Sequence, residues 1–168
     1  MTVTKHTNGN IGGVNPLQYV FAEDILSFSI NPVTLVGSIN LKPGCAWSSL
    51  YATADTIQCE GKEDLMPGGM KYTYEIKMLI PKDRSDVEIT LMLLNYRRMV
   101  ILLTDKNGVS RYYGTDNIPM RKLSRLVKPS AIEGYNGWEV AFTGSFPAPA
   151  CYVTLPGAGW VPDPTAGT

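Results

Sequence analysis

Few residues in this 168-residue chain have the types and spacing that chemistry needs. The single histidine, His6, sits in an N-terminal stretch rich in Asn, Gly and Thr, "MTVTKHTNGN". One imidazole cannot make a two-histidine metal motif, and a base on such an arm is poorly held for a Ser-His-Asp or Cys-His site. Cys45, Cys59 and Cys151 lack CxxC spacing and are odd in number, so they read as buried free thiols rather than a zinc site or disulfide framework. Gly61-Lys62 is not a phosphate loop: Thr56 stands where the first glycine is required, and Glu63 follows the lysine. Asp105, Asn107 and Gly108 match the opening of a calcium loop, but the later ligands, including the closing glutamate, are missing. They read instead as a hairpin turn, because Asn-Gly accepts the positive φ that twisted hairpins need. Asp83, Asp86 and Glu88 cluster before an apolar run. A two-carboxylate hydrolase uses such acids, yet a helix N-terminus favours them equally. These residues predict no catalytic set, no cofactor and no metal.

Two features point to binding. "RKLSRLVK" places Arg121, Lys122, Arg125 and Lys128 within eight residues. This is either a solvated strand face or a stripe that docks a partner or lines a channel for nucleic acid. Tyr72, Tyr74, Tyr112, Tyr113, Trp138 and Phe142 fall on candidate strands. Such rings serve either as stacking platforms or as core and cross-strand pairs.

The elements that must position these residues are mostly strands. "LQYVFAED", "ILSFSI" and "VTLVGSI" are short and β-branched, broken by Asn31-Pro32 and Pro43-Gly44. "WSSLYATADTIQC" can add another strand, and residues 60–70, "EGKEDLMPGGM", read as a loop. "KYTYEIKML" alternates cleanly, with Tyr72, Tyr74, Ile76 and Met78 on one face. "SDVEITLMLLN" predicts a helix over about 85–96, with Ser85 and Glu88 as a capping box. Val87, Leu91 and Leu94 form its stripe, and Ile89, Met92, Leu93 and Tyr96 widen it. A strand is the rival reading of this run. "RRMVILLT" and "VSRYYG" form a hairpin about Asp105–Gly108, and "NIPMRKLSRLVKPSAIEGYNG" is a connection or an irregular strand pair. "GWEVAFTGSF" alternates again, with Trp138, Val140 and Phe142 together.

Composition bounds the rest. With 44% hydrophobic and 18% charged residues the chain is globular, and 15 basic residues balance 15 acidic ones. A zero net charge argues against a DNA- or membrane-gripping protein and gives little repulsion between copies. No signal peptide or membrane span is legible. The expected organisation is an N-terminal arm (1–16), one β-rich domain (17–153) and a C-terminal arm (154–168). The fold class is mainly β, an antiparallel sandwich or barrel with one short helix. The tail from Pro147 has five prolines, with Tyr152, Val153, Trp160 and Val161 as apolar anchors. These lie either on the chain's own domain or on a neighbouring copy.

From about Trp47 onward the motif order resembles small virion structural proteins of Bacteroides-type tailed phages, including crAss-like phages and related prophages. The resemblance rests on Leu103, Asp105, Asn107, Gly108, Arg111 and Gly114 in the hairpin. It continues through Gly134, Phe142, Thr143, Gly144, Pro149, Ala150 and Tyr152. It covers residues 47–153 and implies a subunit of a homo-oligomeric ring in the tail, collar or head–tail connector. It further implies assembly in the host bacterial cytoplasm, contacts with portal, tail or collar proteins, no catalysis and at most incidental DNA contact. The alternative is a soluble β-sandwich module that recognises a glycan or a protein.

Overall fold

The computed structural model describes residues 17–53, 55–81, 84–128 and 136–153. Both expected arms lie outside them, as do His6, Asp83, Gly134, Trp160 and Val161. The described chain is mainly β with one helix. It opens with β1 (Leu17–Phe21), a single 3-10 turn (Ala22–Asp24), β2 (Ile25–Ile30), β3 (Val36–Leu41) and β4 (Ser48–Leu50). There follow β5 (Gln58–Met66), β6 (Gly69–Pro81), α1 (Ser85–Asn95), β7 (Met99–Thr104) and β8 (Ser110–Tyr113). The last strands are β9 (Arg121–Val127), β10 (Gly137–Phe146) and β11 (Cys151–Val153).

Two sheets form. One has seven strands in the order β2-β3-β11-β8-β7-β1-β4, and the other has four in the order β5-β6-β10-β9. All pairings are antiparallel except β11 with β3, which run parallel. A core fills the space between the sheets. Tyr19, Ile101, Leu103 and Tyr113 come from the first sheet, Ile76, Met78, Val140 and Phe142 from the second, and Leu91 and Leu94 from α1. The run "MVILL" of β7 is buried on both faces. Met99, Ile101 and Leu103 enter this core, while Val100 and Leu102 enter a second cluster with Tyr112 and Cys151. Phe28, Ile39 and Leu41 of β2 and β3 pack on that second cluster. Strands of one sheet thus pack on one another, which requires that sheet to curl.

The predicted alternation in β6 and β10 holds. Ile76, Met78, Val140 and Phe142 are buried, with Tyr74 and Trp138 packed at the margin. Residues 60–70, expected as a loop, form instead the end of a β-hairpin that turns at Pro67-Gly68. The stretch is polar because this ribbon is mostly solvated, not because it lacks regular structure. Gly61 is required there: a Cβ would lie 2.8 Å from the Tyr74 ring. Helix α1 starts at Ser85 with Arg84 as the N-cap, and no side chain caps it. The expected Ser85 capping box is therefore not made; Ser85 is already helical, and Arg84 accepts the Glu88 N–H through its carbonyl at 3.0 Å.

Candidate assembly surface

Helix α1 is apolar on two opposite faces. Leu91 and Leu94 are 2% and 1% exposed, and Val87 packs beside them against the core. Ile89, Met92, Leu93 and Tyr96 recur at i, i+3, i+4 and i+7 on the other side. They are 58%, 61%, 65% and 95% exposed. Along the sequence both sets run together as one widened stripe, yet only one faces inward. A helix apolar all round is normally covered on all sides. Among the described residues nothing covers this face.

A second apolar surface lies on the β5–β6 hairpin. Strand β10 ends its pairing at Phe146 opposite Tyr72, so Gly69–Lys71 and their β5 partners pair only with each other. The ribbon thus overhangs its sheet by about 10 Å, at about 3.3 Å per residue. Leu65 and Met70 face each other across it, and with Met66 they are 81%, 41% and 49% exposed. Glu63 shares the ribbon face of Leu65 and Met70.

The basic stripe divides. Arg121 and Arg125 point to the outer face of the four-stranded sheet, and Arg125 pairs with Glu139 there at 2.6 Å. Lys122 points the other way and is 4% exposed. Its ammonium donates to the Leu91 carbonyl of α1 at 2.9 Å and to Ser124 Oγ at 2.8 Å. Burial pulls its pKa down to about 8, and among the described residues its acceptors are neutral. The expectation of Lys122 on an outward stripe is corrected: strand parity sends it inward, where it ties helix to sheet. Lys128 is exposed past the end of β9.

The hairpin turn is as expected. Asp105 accepts the N–H groups of Asn107 at 2.9 Å and Val109 at 2.8 Å, and Gly108 adopts φ +82°. Tyr152 and Val153, read as anchors either on the chain's own domain or on a neighbouring copy, belong to the chain's own sheet. They pair with β3 and, at Tyr152, with Arg111 of β8. Arg111 stacks its guanidinium on the Tyr152 ring and donates to the Tyr152 hydroxyl at 2.5 Å. The backbone gap between β3 and β8 accepts this segment, which is why it is not available to a partner.

The aromatic candidates turn inward. Tyr112, Tyr113 and Phe142 are buried, and the Tyr74 hydroxyl accepts the Ala150 N–H at 3.0 Å. Stacking platforms are therefore absent from those positions. Asp86 pairs with Arg84 at 3.0 Å on the surface, and Glu88 is exposed on the next part of the turn. Cys59 and Cys151 have their thiol pKa values raised by burial, Cys151 to about 11, which leaves both as poor nucleophiles. Among the described residues no group of three or more His, Cys, Asp or Glu could hold a metal ion.

In comparisons with known proteins, no family model, no curated protein and no solved structure matches this chain.

Proposed function

We propose that the protein is a structural subunit of a tailed-phage virion that builds a ring with copies of itself in the tail, collar or head–tail connector. It works by assembly, in the bacterial cytoplasm, alongside portal, tail or collar proteins. One observation carries this reading: the chain exposes two unlike apolar surfaces, the outer face of α1 and the tip of the β5–β6 hairpin. A ring requires a head-to-tail contact between two different patches of the same chain, whereas a two-fold dimer needs only one patch. The motif likeness to virion proteins supports the viral setting, and the near-zero net charge suits close packing of copies.

The test is mass in solution across a concentration series, by light scattering and native mass spectrometry. A discrete closed oligomer of more than two copies is expected. A lone monomer at high micromolar concentration overturns the reading. Polysaccharide binding by that monomer would favour the β-sandwich binding module instead.

A further inference from the structure

We infer that the β5–β6 hairpin tip of one copy seats on the outer face of α1 in the next copy. Leu65 and Met70 lie against Ile89, Leu93 and Tyr96, and Glu63 faces Arg98. This rests on the assembly reading above and specifies which surfaces meet.

Coverage is the first argument. Among the described residues nothing covers the hairpin tip or the outer α1 face, and one head-to-tail contact buries both. A two-fold contact between α1 faces would leave the hairpin in water. At roughly 200 Å² for a fully exposed large side chain, the helix patch offers about 550 Å², and Leu65 with Met70 on one ribbon face about 250 Å². Their combined area of about 800 Å² is about half of the roughly 1,600 Å² that a specific interface buries, leaving the polar rim to supply the remainder.

Charge is the second. Glu63 is exposed and sits on the tip's apolar face, with no ion pair among the described residues. Its neighbour Asp64 is already held by Lys62 at 2.9 Å. At the other surface, Arg97 is committed to Glu23 and to the Phe21 ring, while Arg98 is exposed and has no ion pair among the described residues. Glu63 and Arg98 are thus opposite in sign and neither has an ion pair among the described residues; the exposed Lys71 lies on the other ribbon face and the exposed Glu88 near the start of α1, away from Arg98. Shape is the third. A two-stranded ribbon standing clear of its sheet is marginal in water, so a helix beneath it supplies the missing third layer.

The experiment uses two single-site variants of the full chain, Leu65→Cys and Leu93→Cys. Both positions are exposed, so folding is unaffected, and circular dichroism checks this. The variants are co-expressed, so that mixed oligomers form, and treated with a short bis-maleimide, with the parent as reference for links through its own cysteines. Linked peptides are then identified by mass spectrometry. A 65–93 link in the mixture, with no 93–93 link in Leu93→Cys alone, is the expected result. A 93–93 link without a 65–93 link overturns the proposal in favour of a two-fold helix contact. A discrete oligomer with no 65–93 link overturns this contact and leaves the ring reading standing. A monomer throughout removes both.

Discussion

Lys122→Met turns a buried ammonium into a thermodynamic measurement. Lys122 is 4% exposed and donates to the Leu91 carbonyl and the Ser124 hydroxyl, and among the described residues it has no carboxylate partner. Its pKa falls from the ordinary 10.5 to about 8 in the folded chain. At about 1.4 kcal/mol per pH unit, that gap corresponds to about 3 kcal/mol, and about 2 kcal/mol is expected once relaxation around the side chain is allowed. Below pH 8 the native state carries this cost in full, because it must bury a charged group. Between about pH 8 and 10.5 the native lysine is neutral while the unfolded one stays protonated. The unfolded state then binds more protons, so stability rises with pH across that window. The raised pKa values of Cys151, Tyr112 and Tyr113 act with the opposite sign, eroding stability as pH passes the ordinary thiol and phenol values of 9.0 and 10.0. Subtracting the Lys122→Met curve cancels them. Urea unfolding followed by tryptophan fluorescence should show the parent gaining about 2 kcal/mol on the variant between pH 7 and 10.5. A flat difference would refute the argument that this lysine is buried with its charge uncompensated.

Asp105→Ala removes the acceptor for two backbone N–H groups of the turn and should cost about 1–2 kcal/mol, read as a lower urea midpoint at unchanged slope. Gly114 adopts φ +94°, and a Cβ there would lie 3.2 Å from the Met120 nitrogen and 3.3 Å from the Met99 carbonyl oxygen. Both neighbours are backbone, so Gly114→Ala should lose about 2 kcal/mol or more and lower the melting temperature by several degrees. Glu139→Gln breaks the Arg125 pair on the open sheet face, and a change within about 1 kcal/mol is expected, shrinking further at high salt.

The strands that bury one face were legible because their side chains alternate. Tyr72 through Met78 and Trp138 through Phe142 announce both the element and its inward side. The helix was legible as an element, but its orientation was not. Apolar residues surround it, so periodicity alone could not say that Leu91 goes inward and Leu93 outward. The hairpin tip was missed because Glu60–Asp64 look like loop chemistry when no core lies beneath them. Lys122 was legible in principle: it shares strand parity with Ser124, away from Arg121 and Arg125. Four positive charges within eight residues mask that parity. The pairing of β11 between β3 and β8 had no local signal, since three residues after a proline-rich stretch show no period.

That pairing has a consequence for how the chain is made. Cys151–Val153 lies between β3, built from residues 36–41, and β8, built from 110–113. Until residue 153 emerges from the ribosome, β2 and β3 have, among the described strands, no hydrogen-bonded bridge to the rest of their sheet. Until then synthesis carries a half-closed body with bare strand edges. Contacts so distant along the sequence form slowly. In the interval those edges are open to the wrong neighbour, and crowded nascent copies have the greatest reason to finish quickly.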